Sequence, residues 1–422
     1  GPTFWKNLEE AGVDCTVIRI PSNFPPTECK SKTLSGLGTP DIHGSYGVFA
    51  FYTDRPGEST RDVPGGKVVQ VTVRDHCVDC VLPGPVNTLQ KEPGAVNIAF
   101  KVFVDPTNPA ALIAIQGREL LLREGEWSSW VPVSFEMIPR VSSVAGMCRF
   151  CLVRARGDFA LYVSPIDMDP SAPSLPISTP RGYSADLASR IGRFYTQGIA
   201  EDTKALTAGV LDDDKYREQA MLVLEENMRM FESEFARFRG GFFFHYFSSL
   251  DLNSHMFWRA MDRRHPLFNA GLAARHGGFI PSLYARMDEV VGRAMRRIGP
   301  DVALLVMSDH GFAPFRRQFN LNSWLMDNGY ALPGPSSSRG HGKYFTDVEW
   351  TGTRAYGLGI NGLYLNVRGR EQFGIVAPGG EQAALETELA SRLATLRDPR
   401  TGEQPILKVH RRSEIYSGPC MA

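Results

Sequence analysis

Phe242-Phe243-Phe244-His245-Tyr246-Phe247-Ser248-Ser249-Leu250-Asp251-Leu252-Asn253-Ser254-His255 is the stretch on which the reading of the whole chain turns. Its first six residues follow Gly240-Gly241 and are apolar at both alternating positions, the pattern of a central strand in a parallel sheet covered on both faces. A helix is expected just before it. After Asp212-Asp213-Asp214, the residues Tyr216, Ala220, Leu224, Met228, Phe231, Phe235 and Phe238 recur at spacings of three and four. The three acids suit a helix N-terminus, where the backbone dipole favours negative charge. The same unit then returns. A helical stripe from about Ser282 to Ile298 (Leu283, Met287, Val290, Val291, Ala294, Ile298) meets Gly299-Pro300 and leads into Val302-Ala303-Leu304-Leu305-Val306-Met307, expected as a second strand buried on both faces. Repeated helix, glycine and strand predict an α/β protein with a parallel sheet.

The N-terminal part carries one more such step: a short amphipathic segment around Phe4, Trp5 and Leu8, a stop at Gly12, and the apolar strand Cys15 to Ile20. A Pro-rich turn (Pro21, Pro25, Pro26) follows. Next comes the Gly-rich loop Ser35-Gly36-Leu37-Gly38-Thr39-Pro40-Asp41-Ile42-His43-Gly44. From about 65 to 180 the texture changes to short β-rich runs, among them Lys67 to Val73, Val96 to Val104, Ala111 to Ile115 and Phe159 to Val163. The expected organisation is therefore an N-terminal part of the α/β core at 1–64, a β-rich insertion at 65–180, and the remainder of the core at 181–422. Ser336 to Gly342 reads as a flexible loop, and no repeat of fixed period is present.

The composition narrows the function. The 422 residues carry 46 Lys and Arg against 46 Asp and Glu, so the net charge is zero and a surface that grips nucleic acid or an anionic membrane is not indicated. No stretch approaches the roughly 18 apolar residues of a membrane span. Charged partners should be small and locally recognised. The Gly1-Pro2 start and the Ser417 to Ala422 end suggest a piece of something longer, or at the start a protease scar, so signal peptide and compartment stay open. Of seven cysteines, four form the pairs Cys77-x-x-Cys80 and Cys148-x-x-Cys151. The 67 residues between the pairs far exceed the usual zinc-ribbon spacing of about 15–20. Residues i and i+3 of a strand also face opposite sides, so small buried hydrophobes are the favoured reading.

The two apolar strands end alike. One runs into Asp251 and His255, the other into Ser308-Asp309-His310-Gly311, so each delivers a carboxylate and an imidazole at its carboxyl end. In open α/β sheets ligands bind there. Hard oxygen with borderline nitrogen matches Zn²⁺ or a similar divalent ion. The bland alternative has Asp251 capping the helix of Met256, Phe257 and Trp258, with His255 merely packed or exposed. Asp309-His310 is more pointed, because an ionisable pair at the end of a buried strand is costly unless coordinated or paired. Four ligands shared by two metals would still leave each short. Elsewhere, His43 reads as a turn residue, Arg316 and Arg317 as a solvated pair, and His245 as a satisfied core histidine.

These residues resemble the alkaline phosphatase superfamily, in its type I phosphodiesterase/nucleotide pyrophosphatase branch. Asp251-x-x-x-His255 and Ser308-Asp309-His310-Gly311 carry the resemblance. Ser35 to Asp41, Phe319-Asn320-Leu321-Asn322-Ser323-Trp324-Leu325, Thr353-Arg354-Ala355-Tyr356 and Asn366-x-x-Gly369-Arg370-Glu371 are closer still to its predicted phosphohydrolase/phosphomutase group. The resemblance implies a three-layer α/β/α alkaline-phosphatase-like core with a β-rich inserted domain. It implies two divalent metal ions, zinc or else manganese: Asp309 and His310 on the one that activates the nucleophile, Asp251 and His255 on the other. It further implies in-line phosphoryl transfer from a small phosphodiester, pyrophosphate or phosphomonoester. A phosphomutase of the same superfamily, or a binding or scaffold protein keeping the fold without catalysis, are the rival readings. In the family the Thr or Ser nucleophile and an Asp ligand lie upstream of the segment matching Gly1 to Pro26, and a further His lies downstream of that matching Arg411 to Pro419. The expectation is therefore a fragment whose first core strand and C-terminal part are missing, with no Thr or Ser here as nucleophile and neither His341 nor His410 as a third ligand.

Overall fold

The computed structural model describes residues 1–57, 63, 65–334, 345 and 347–418. The whole of the expected loop at Ser336 to Gly342, His341 included, and Cys420 lie outside the described residues. The chain divides into two compact units, Gly1–Pro314 and Phe315–Ala422.

The first unit is organised by a four-stranded sheet in the order Ser178–Thr179, Lys32–Ser35, Cys15–Ile20, Phe242–His245. The last three run parallel, with Cys15 opposite Phe242 and Ile18 opposite His245, while Ser178–Thr179 is antiparallel to its neighbour. Alternation along the strands serves both faces. Phe242 and Phe244 join Trp5, Cys15 and Val17 under the helix Phe4–Glu10, whereas Phe243 packs against Phe231 and Phe235 of the long helix Asp213–Phe235. Ile18 and Leu34 meet Leu187 of the helix Tyr183–Ile191 and Met230 of the long helix. Helices thus cover both sides of the sheet, and each large apolar side chain removed from water contributes about 1.5–3 kcal/mol.

The long helix begins where its three acids predict. Asp212 accepts a hydrogen bond from the Lys215 backbone N–H at 2.8 Å, and Tyr216, Ala220, Leu224, Met228, Phe231 and Phe235 are all buried. Two inward positions, Glu226 and Glu234, are charged. Glu226 receives the Arg149 guanidinium at 2.6 Å, the Trp130 indole N–H at 2.8 Å and the Tyr195 backbone N–H at 2.9 Å, which compensates its desolvation.

The β-rich part has three larger sheets and the two-stranded pair Val86–Asn87/Gly94–Ala95 among the described residues, and its core includes Val78, Cys80, Phe100, Ile113, Phe135, Cys148, Phe150 and Leu161. The strand Phe49–Thr53, which lies in the 1–64 segment, pairs with Ala160–Val163 and with Gly66–Gln70. Cys80, Cys148 and Cys151 are buried free thiols. Burial pushes Cys80 and Cys151 up to about 12 and Cys148 higher still.

Two strand expectations are corrected. Phe242–His245 lies at the edge of its sheet and is half-buried, not central. Val302 to Met307 forms neither helix nor strand and pairs with no strand among the described residues, and Leu305, Val306 and Met307 are 70–78% exposed. An apolar run buries itself as a strand only where a neighbour takes up its backbone N–H and C=O groups, and among the described residues no strand pairs with this one.

In the second unit, the helices Leu321–Asp327 and Gly380–Ala394 and the hairpin Ala355–Leu358/Gly362–Leu365 enclose Leu325, Tyr330, Leu365, Val376, Leu385 and Leu389. The motif residues around 353 and 366–371 hold its loops. The fully buried Asn366 amide donates to the carbonyls of Trp350, Thr353 and Phe373, and Glu371 accepts from the Val367 N–H at 2.8 Å and the Tyr356 hydroxyl at 3.1 Å.

Candidate active site

The site is built at the carboxyl end of the parallel strands. Cys15–Ile20 ends in a bulge at Arg19, whose φ of 58° turns its side chain inward. Its guanidinium donates to the carbonyls of Tyr195 at 2.6 Å and Gln197 at 3.1 Å. The Gly-rich loop lies against this bulge because two glycines permit backbone-to-backbone contact: a Cβ on Gly36 would sit 1.9 Å from the Arg19 carbonyl oxygen, and one on Gly198 2.6 Å from the Gly38 nitrogen. Asp41 closes the loop by accepting from the N–H groups of His43, Ser45 and Val48, so His43 sits in a tight turn as its sequence suggests.

Next to this loop, Phe242–His245 is followed by the helix Ser249–Met261. Asp251 falls in its first turn and His255 one turn later on the same side, with His255 Nε2 at 3.5 Å from Asp251 Oδ1. The second segment brings His310 to the same oxygen: His310 Nε2 lies 3.6 Å from Asp251 Oδ1 and 3.8 Å from Asp309 Oδ2. All four residues singled out in the sequence are therefore gathered at one place. Asp251 is the most enclosed of them, its side chain 32% exposed against 81% for Asp309. His245 is separate, with Nε2 on Asn227 Oδ1 at 2.8 Å and burial holding its pKa down at about 3. Arg317 pairs with Asp398, and His410 is exposed in the second unit.

The donors fit a divalent cation in chemistry and in pairwise spacing. Asp251 Oδ1 is buried without any hydrogen-bond partner, so the bland reading in which Asp251 caps its helix finds no support at this oxygen. His310 Nδ1 lies 3.0 Å from the Gly311 carbonyl, an acceptor, so Nδ1 carries a hydrogen there and Nε2 is the nitrogen turned toward the carboxylate oxygens. Ligands on one tetrahedral zinc, at about 2.0–2.1 Å from the metal, stand about 3.3–3.4 Å apart, close to the two separations seen here. Among the described residues no group of three or more His, Cys, Asp or Glu side chains is arranged to hold a metal ion as it stands.

Two neighbours were not foreseen from the sequence. Phe312 packs its ring against His255 at 4.9 Å, His310 at 5.7 Å and Trp258 at 5.8 Å, restraining both imidazoles. Glu201, fully buried, accepts the Ser249 hydroxyl at 2.6 Å. Proximity of Phe312 to Asp309-His310 was the only available signal for the first; nothing in the spacing of Glu201 announces the second.

A sheet covered on both faces by helices, a β-rich region, and acid and imidazole pairs at the strand ends define an α/β protein of alkaline-phosphatase-like architecture. Residues 172–419 match the family model of type I phosphodiesterase / nucleotide pyrophosphatase, and the chain belongs to that family, a family of hydrolases. Comparison with curated proteins and with solved structures returned no match. Among the described residues no helix is long and apolar enough to cross a membrane.

Proposed function

We propose that the protein is a metal-dependent phosphohydrolase acting on a small phosphodiester, pyrophosphate or phosphomonoester, with Asp251, His255, Asp309 and His310 holding up to two divalent ions, zinc or manganese. The observation that carries this reading is the buried, unpartnered Asp251 Oδ1 between the Nε2 atoms of His255 and His310. When bound, such ions neutralise the non-bridging phosphoryl oxygens and lower the pKa of the attacking hydroxyl or water. The chain's own residues supply the rest. The Gly311 carbonyl fixes the ring orientation of His310. Phe312 packs against both imidazoles and against Trp258, which restrains the two rings. The exposed Asp309 and His310 are accessible to an incoming phosphoryl group.

The test is elemental analysis of the complete protein together with hydrolysis of nitrophenyl phosphate mono- and diesters. Retained zinc or manganese, with turnover that collapses in Asp309→Ala, is expected. Unchanged turnover in Asp309→Ala overturns the assignment. Isomerisation of a sugar phosphate without phosphate release identifies a phosphomutase, and absence of bound metal with all four side chains intact identifies a binding protein.

A further inference from the structure

The helix Ser249–Met261 brings both Asp251 and His255 to the site, so its first turn must be held in place. It is not held in the usual way: its N-cap Ser248 makes no side-chain capping bond. The tie comes from a distant segment. Glu201, completely buried, accepts the hydroxyl of Ser249, the helix's first residue, at 2.6 Å; the Ser249 carbonyl in turn receives the Asn253 side-chain amide at 2.7 Å. Burying a carboxylate is costly, and the second oxygen of Glu201 has no hydrogen-bond partner at all. Ionisable groups held in such costly surroundings cluster at functional sites. Arg19 lies near enough to attract it, although both terminal nitrogens of that guanidinium are engaged by backbone carbonyls.

We propose that Glu201 is a positioning residue that acts through Ser249, setting the first helical turn so that Asp251 and His255 face the divalent ion. This rests on the metal-dependent reading above. Groups behind the ligands orient them, and their loss typically costs about 10–100-fold in metal affinity.

The test uses the full chain stripped with chelator, with the affinity for Mn²⁺ and Zn²⁺ read by calorimetry and thermal melting recorded on the same metal-free samples. Glu201→Ala and Ser249→Ala should each weaken binding by about 10–100-fold. Glu201→Gln, which keeps an oxygen to accept the Ser249 hydroxyl, should bind close to wild type; this rescue separates positioning from simple loss of stability. If Glu201→Ala does not fold, Ser249→Ala carries the same comparison. Wild-type affinity in both alanine variants, alongside lost affinity in Asp251→Ala, overturns the proposal while leaving the function intact. So does a Glu201→Gln variant as weak as Glu201→Ala. Undiminished binding in Asp251→Ala, or none in the wild type, overturns the metal reading itself and this proposal with it.

Discussion

Asp251 Oδ1 stands 3.6 Å from His310 Nε2, joining a helix that follows one strand to a loop far along the chain. If both bind a common ion, their contributions to affinity are not independent. Asp251→Asn and His310→Ala should each lower Mn²⁺ affinity by more than the roughly 10–100-fold that changes behind the ligands cost. The double variant should be little worse than the weaker single one. Calorimetric titration of the four proteins checks this; strictly additive losses would place the two residues in separate sites.

The Gly36 contact makes a prediction about the frame of the site. A methyl group there would meet the Arg19 carbonyl at 1.9 Å, and the obstacle is backbone that cannot swing aside. Gly36→Ala should destabilise the protein by about 1–3 kcal/mol or more, the usual cost of overpacking. The midpoint of urea unfolding measures it. An unshifted midpoint would show that the loop does not lie on the bulge at Arg19.

Asp167 predicts the pH dependence of stability. It is 1% exposed, and burial, only partly offset by the N–H groups of Thr196 and Gln197 at 2.7 Å, raises its pKa to about 7. The folded protein then keeps a proton on this group across a range, about pH 4 to 7, in which the unfolded chain has released it. Its contribution to stability is fully present below the unfolded pKa and is lost as pH rises through the folded one. Wild-type unfolding midpoints should therefore fall more between pH 5 and pH 8 than those of Asp167→Asn, which carries no titrating proton. Parallel profiles of the two proteins would contradict it.

Much of this was legible in the chain itself, and the reason is local. The stripe from Tyr216 to Phe235 has a period that only a helix satisfies, and Asp212 sits where the first orphan N–H groups need an acceptor. Phe242 to His245 is apolar at both alternating positions, and both faces do meet helices. What the pattern does not contain is the number of neighbours a strand has. Phe242–His245 is an edge, and Val302 to Met307, with nearly the same apolar character, pairs with nothing described.

By itself, the sequence determined where helices and strand-forming runs occur and which side chains stand at their ends, because period, glycine stops and caps act over a few residues. It marked Asp251, His255, Asp309 and His310 as a set. Tertiary structure alone decided that His255 and His310 face the same oxygen of Asp251, that Phe312 closes over both rings, and that Glu201 reaches Ser249. Those contacts join segments remote in the chain, and their energies depend on burial and distance, quantities that exist only once the chain has folded.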